Sequence, residues 1–293
     1  GIYSEDVDAQ MRDFVAGNEL YRGLGKGRFS RIGQSTGVAD VGWAYGPGLV
    51  DLDNDGWLDL YAPVGFQSVT PERPDGCRCV WLAVVSQPFN SSAQVPCLRD
   101  LDSDNGEFWV SNPWNFSASG ENLSAYERNG VFLNDRHGGF HNISHTSGAD
   151  NPGDGRSAVS WDITGDGMPE LFIRQAGGGP LVIYHNRFPR RHYLQLSLRG
   201  TRSNSLGVGA RVECEVAGSV VRRSLYPVVN FLSQSPALVH VGLGEAKVVD
   251  RMTIRWPSGE VQVFESVPVD RHLRITEGAG DYQTLSRRER LTK

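Results

Sequence analysis

The run Gly48-Leu-Val-Asp51-Leu-Asp53-Asn-Asp55-Gly56-Trp57-Leu-Asp59-Leu-Tyr61 decides how the rest of the chain is read. Asp at alternate positions, then Gly where the chain must turn sharply, collects oxygen atoms around a hard cation that wants six or seven of them. Counting Asp51 as position 1, the predicted ligands are Asp51, Asp53, Asp55, the Trp57 carbonyl and Asp59. An EF-hand would place Glu at position 12, where this chain has Ala62. The flanking Leu-Val and Leu-Tyr pairs are strand-like rather than helical, so the loop reads as a Ca2+ site inside a β-hairpin. A second run, Ser157-Ala-Val-Ser-Trp-Asp162-Ile-Thr164-Gly-Asp166-Gly167-Met168-Pro-Glu170, repeats the layout 111 residues on, Asp162 falling where Asp51 stood. Its ligands would be Asp162, Thr164, Asp166, the Met168 carbonyl and Glu170. Three carboxylates instead of four predict weaker binding. A third run, Asp100-Leu-Asp102-Ser-Asp104-Asn-Gly106, has its Gly one place late and reads as a solvated loop.

Each acidic loop follows a recurring unit. Residues 18–40 and 129–150 align Phe29 on Phe140, Gly27 on Gly138, Ile32 on Ile143 and Gly37 on Gly148. Both read as strand, Gly-containing turn and strand with alternating apolar residues. LVIYHNR at 181–187 looks like the opening strand of a third copy. Repeated four-strand units are the sequence mark of a β-propeller. The fold class expected is therefore all-β, with a partial propeller-like domain over 18–188. A Pro-, Ser-, Asn- and aromatic-rich insert at about 66–127 interrupts it. Before this domain, Ser4 and the spacing of Val7, Met11, Phe14 and Val15 predict a helix within 1–17.

From about 189 the pattern changes to short β-branched runs spaced by turn residues. HYLQLSLRG, ARVECEVAG, ALVHVGLG and the pair TIRW and EVQVF around Pro257-Ser258-Gly259 imply six or seven strands, a small β-sandwich over 189–278. Residues 279–293 read as a polar tail.

The 293 residues leave room for two domains, and Gly (35) with Pro (15) argues against a helical bundle. No stretch approaches 18 uninterrupted apolar residues, so no membrane span is expected. The net charge of −5 hides −12 over residues 1–184 and +7 over 185–293. An acidic front half excludes nucleic acid there and suits cations. The basic residues of the back half are spread along strands and read as a solvated face. Cys77, Cys79 and Cys97 lie in the insert without histidines at zinc-finger spacing, which favours a local disulfide from Cys97 to one of the other two. Cys214 stands alone. Sequons at Asn90, Asn115, Asn122 and Asn142 point to a secreted, N-glycosylated chain. With no signal-like segment at Gly1, the sequence reads as processed or as a fragment.

Enzyme-like patterns do not assemble. Gly33-Gln-Ser35-Thr-Gly37 has the spacing of a nucleophile elbow but belongs to the repeat unit. His137, His141 and His145 sit in strand-like sequence and read as surface histidines. Gly177-Gly178-Gly179 precedes neither a helix start nor a lysine, and reads as a hairpin turn. No nucleophile finds its base, so no enzyme is expected. The aromatics Trp81, Phe89, Phe108, Trp109, Trp114 and Phe116 of the insert leave a carbohydrate-binding module as the alternative function.

The two acidic loops with their preceding Gly-x-Phe units resemble FG-GAP/VCBS repeats of integrin-type propellers. Gly200-Thr-Arg-Ser-Asn204, Gly207-Val-Gly209-Ala-Arg211, Phe231-Leu-Ser-Gln234-Ser, His240-Val-Gly-Leu-Gly244 and Arg255-Trp-Pro-Ser-Gly259 are similar to the ASPIC/UnbV domain. Together the arrangement resembles the CRTAC (cartilage acidic protein) family. That resemblance implies a secreted, calcium-binding, non-enzymatic glycoprotein with an adhesive or matrix-associated role. Calcium ligands carry over onto Asp51, Asp53, Asp55, Asp59, Asp162, Asp166 and Glu170. Too few repeats are present for a full ring, and open edges invite other extracellular proteins or copies of the same chain. The expected assignment is thus a subunit of an extracellular assembly.

Overall fold

A computed structural model describes residues 5–6, 9–10, 17–72, 122–176, 179–228 and 230–286. Period-two alternation turns nearly every apolar run into a strand, and the chain is almost wholly β. Glu5, Asp6, Ala9 and Gln10 are helical, within the helix expected at the N-terminus.

β1 (Tyr21–Gly25) and β2 (Arg28–Arg31) form a hairpin over Lys26 and Gly27, both at positive φ. A single helical turn, α1 (Gly33–Thr36), ends on Gly37 in the left-handed conformation at φ 78°. The same order recurs in β5 (Gly130–Asn134), β6 (Phe140–Asn142) and α2 (Ser144–Ser147), capped by Gly148 at φ 70°. The aligned Gly37 and Gly148 of the sequence are these caps, where a Cβ would meet the steric penalty of positive φ. The one-turn helices have no periodic signal and were not anticipated. Ser35 sits on α1 with its hydroxyl donating to the Ile32 carbonyl at 3.0 Å, a local backbone bond rather than a nucleophile's geometry.

β3 (Gly48–Val50) and β4 (Asp59–Ala62) flank the first acidic loop, and β5 and β6 continue the sheet in chain order, all antiparallel. This is one complete four-stranded blade. β7 (Gly155–Trp161), β8 (Glu170–Gln175) and β9 (Val182–Tyr184) make three strands of the next. The β1–β2 hairpin, a separate two-stranded sheet, matches β5–β6 in the repeat's order. No closed propeller forms among the described residues. Every residue of β4 is buried because the blade is covered on both faces. On one face Val50, Leu52, Tyr61 and Val131 meet Ala158, Leu171 and Ile173 of the next blade. On the other, Leu60, Ala62 and Phe132 meet Val38 and Leu20.

The C-terminal half stacks two four-stranded sheets. β10 (His192–Arg199) lies between β13 (Val239–Gly244) and β16 (Arg271–Thr276), with β17 (Tyr282–Thr284) at the edge. β11 (Arg211–Val216) lies between β12 (Ser219–Ser224) and β14 (Val248–Arg255), and β14 pairs β15 (Val261–Pro268) across the Pro257–Gly259 turn. Alternate residues Leu194, Leu196 and Leu198 enter the core against Val212, Cys214, Met252, Ile254, Leu273 and Ile275. Truncating one such leucine to alanine costs about 2–5 kcal/mol. Eight strands form where six or seven were expected. The eighth, β17, falls in the supposed tail: it pairs with β16, and Leu285 is buried, so the sandwich continues past 278. Cys214 is a free, buried thiol that burial pushes up to about 12.

Glu277 ties the sandwich together. Its Oε2 accepts the N–H groups of Thr201, Arg202 and Ser203 at 2.7–2.8 Å, and its Oε1 accepts the hydroxyls of Ser203 and Ser258. Burial alone would raise its pKa, yet these donors outweigh burial and hold it well below the usual carboxylate range.

Candidate metal centre

The first loop is built by its own backbone. Asp51 Oδ1 accepts the Asp55 N–H at 2.9 Å and Oδ2 the Gly56 N–H at 3.0 Å. Asn54 at φ 56° and Gly56 at φ 93° make the turn that aims these donors inward. Asp59 closes the loop from β4: Oδ2 accepts the Leu52 N–H at 2.8 Å and Oδ1 the Asn134 N–H at 2.9 Å. Asp51, Asp53 and Asp59 each bring one oxygen to within 4.8 Å of the others, an arrangement that could hold a metal ion.

The electrostatics fit a cation. Burial pushes Asp51 up to about 6, with Asp55 and Asp53 adding to the rise and Arg223 opposing it. Burial pushes Asp59 up to about 7 against the N–H bonds from Asn134 and Leu52. Burial makes ionisation of two of the three carboxyls costly, and a cation beside them would offset that cost. Oxygen-only donors suit Ca2+ or Mg2+ rather than zinc or copper. Of the other expected ligands, Asp55 turns away: Oδ1 accepts the Trp57 N–H at 2.8 Å, and Oδ2 accepts Arg136 Nε at 2.6 Å. The Trp57 side chain is exposed.

The second loop copies the backbone and not the cluster. Asp162 Oδ1 accepts the Asp166 N–H at 3.1 Å and Oδ2 the Gly167 N–H at 2.9 Å, while Glu170 Oε2 accepts the Ile163 N–H at 3.1 Å. Gly165 at φ 74° and Gly167 at φ 89° match Asn54 and Gly56. Thr164 stands where Asp53 stands, its hydroxyl turned toward Asp162 at 3.5 Å. Glu170 is drawn toward His185 Nδ1 at 3.1 Å, and burial raises its pKa. Among the described residues, Asp51, Asp53 and Asp59 are the one cluster gathered for a metal; Asp162, Asp166 and Glu170 are not brought together in that way. Met168 is buried, its sulfur accepting Asn54 Nδ2 at 3.2 Å.

Both loops press against the sandwich. Asn54 Oδ1 meets His240 Nε2 at 2.7 Å, and the Asn54 carbonyl accepts the Gly244 N–H at 2.8 Å. Asp162 Oδ2 accepts Gln195 Nε2 at 3.0 Å. A Cβ on Gly242 would collide with Asp51 and the Asn54 backbone, and one on Gly167 with the Tyr193 ring, so glycine permits the close approach on both sides. Arg223 of β12 donates from Nη2 to Asp51 Oδ2 and to the Gly56 carbonyl, each at 3.0 Å. Arg191 binds the Asp53 carboxylate and, at 3.0 Å, its carbonyl. Arg190, more exposed, reaches Asp166 Oδ2 at 3.1 Å. The basic back half is therefore not simply a solvated face: three of its arginines meet carboxylates of the acidic front half. A cleft of about 770 Å3 opens beside this seam, bordered by Asp51, Asp162, Trp161, Arg223 and His240.

The sequons fare unequally. Asn122 is buried, its Oδ1 accepting the Val69 N–H at 2.8 Å and its Nδ2 donating to the Thr70 carbonyl at 2.7 Å. That leaves no room for a glycan, which corrects the expectation at this position. Asn142 is exposed. Asn90, Asn115, the cysteines 77, 79 and 97, the third acidic run and the aromatics of the insert lie outside the described residues. His137, His141 and His145 are exposed and form no ligand face; His145 pairs with Asp150 at 2.9 Å.

Known families match on either side of the seam. Residues 9–62, from the N-terminal helix through the first acidic loop, match the family of FG-GAP-like repeats. Residues 200–281, most of the sandwich, match the ASPIC and UnbV family, and they include Arg223, His240 and Glu277. No curated protein matches the chain.

Proposed function

We propose that this chain is an extracellular calcium-binding protein with a structural or adhesive role and no catalytic activity, of the kind the CRTAC family represents. The Asp51–Asp53–Asp59 cluster carries the reading. It sits in a loop of FG-GAP type, its donors are hard oxygens, and burial leaves two of them in want of a cation. Extracellular modules hold calcium at dissociation constants of about 10⁻⁴–10⁻³ M, so the site would be filled outside cells and empty in cytosol. Its role would be to staple the blade. No helix among the described residues is long and apolar enough to cross a membrane. Partners would be extracellular proteins or copies of the chain. The outer edge of β9, beside the exposed Leu181 and Ile183, and the β1–β2 hairpin, with Tyr21, Leu24 and Phe29 exposed, offer strand edges that no other described residue pairs with.

The test is a thermal melt in about 1 mM calcium and in excess chelator. At ~10 times the dissociation constant one site adds about 1.4 kcal/mol, a shift of a few degrees. The shift should vanish in Asp53→Ala. An equal melting temperature in both conditions would reduce the loops to acidic turns. A monodisperse monomer in light scattering at high concentration would count against assembly.

A further inference from the structure

The two arginines at the first loop have a consequence for how it binds. Arg223 and Arg191 come from the sandwich side of the seam, and each bonds a different member of the three-carboxylate cluster. Asp51 Oδ2 already takes the Gly56 N–H and Arg223, which fills both of its lone-pair directions. Oδ1 takes the Asp55 N–H and has one direction left. Asp53 is held by Arg191 through its carboxylate and its carbonyl. Arg136, from the β5–β6 turn, binds Asp55. Four carboxylates thus face three guanidinium groups before any metal arrives. The Arg223 side chain is only 13% exposed, so it keeps little of the hydration that would screen it from a divalent ion.

We propose that Arg191 and Arg223 are tethered cations that compete with the divalent ion for Asp53 and Asp51. The sandwich thereby sets the affinity of a loop it does not contain, and holds that loop in shape when calcium is absent. The inference rests on the calcium reading above. A supporting role, in which the arginines only preorganise the loop, makes the opposite forecast for affinity.

Calorimetric titration of the full chain with calcium separates the two. Arg191→Gln and Arg223→Gln should each tighten calcium binding by about tenfold, the scale of removing one unit charge close to a divalent ion in a partly buried site. Each should also lower the melting temperature in chelator more than in calcium, so that the gap between the two conditions widens. A lost structural contact alone would lower both melts together. Should Arg223→Gln fail to fold in chelator, Arg191→Gln, on a side chain 27% exposed, carries the same test. Unchanged or weaker binding in the variants of a protein that does bind calcium overturns the inference and leaves the calcium reading standing. Binding seen in the variants and not in the parent supports it in its strongest form. Silence in all of them overturns both.

Discussion

The two acidic loops are one backbone carrying two different sites. Position 1 of each receives the N–H groups of positions 5 and 6, and position 9 receives that of position 2. Glycine or asparagine supplies the same left-handed turns. What differs is position 3, Asp53 against Thr164, position 9, Asp59 against Glu170, and the partner across the seam. The first loop faces Arg223 and Arg191 and gathers three carboxylates; the second faces the neutral amide of Gln195 at position 1 and the exposed Arg190 at position 5, and its carboxylates are not gathered in that way. The loop conformation is therefore a property of Asp, Gly and hydrogen bonding, and does not require a cluster of charge. Cation binding is an addition to it.

The largest test of that distinction is deletion at position 1. Asp51→Ala strands the largely covered Arg223 without its anion and should cost about 3–5 kcal/mol in urea unfolding with chelator present. Asp162→Ala removes hydrogen bonds from neutral donors and should cost about 1–3 kcal/mol. Equal costs would mean that the ion pair adds nothing at the seam. Next, exchanging position 3 should transfer the metal response. Asp53→Thr should abolish the calcium-dependent gain of about 1.4 kcal/mol, and Thr164→Asp should create a second, weaker gain.

Acidity sharpens the comparison further. The folded pKa values of Asp51 and Asp59, about 6 and 7, lie above the unfolded value near 3.9. Without calcium the folded state binds the extra protons, so these two groups favour folding as pH falls through 7 toward 4 and oppose it above. His240, which burial holds down to about 3, works the other way below about 6.5. Calcium must displace the two protons, so its affinity should weaken by about tenfold between pH 8 and pH 6 in calorimetry. A flat affinity would place the metal away from this pair. The smallest effect belongs to the exposed bridge: Arg190→Gln at Asp166 should change stability by at most about 0.5 kcal/mol.

The acidic loops, the 111-residue repeat and the sandwich were legible in the sequence because each is written in local spacing. Asp-x-Asp-x-Asp-Gly fixes a turn by itself, and HYLQLSLRG alternates visibly. The seam was not legible. Arg223 finds Asp51 172 residues away and Arg191 finds Asp53 138 residues away, and an arginine looks the same in sequence whether it faces water or a carboxylate. The only hint was the charge split between the halves. Asn122 misled for the same reason: its sequon is local, while its burial depends on Val69 and Thr70. β17 was missed because Tyr282–Thr284 is three residues long and gains its order from β16.

The chain leaves the complete blade after Ala62 and returns at Gly130, its antiparallel partner in the sheet. The two legs are still paired at Gln67 and Leu123, with backbone bonds of 2.8 and 3.0 Å in both directions. Entry and exit therefore form a single doorway on the blade. Closing a loop costs only about 0.6 kcal/mol more for each doubling of its length. With both ends held on one blade, the length of chain between residues 72 and 122 bears only weakly on the cost of closing it.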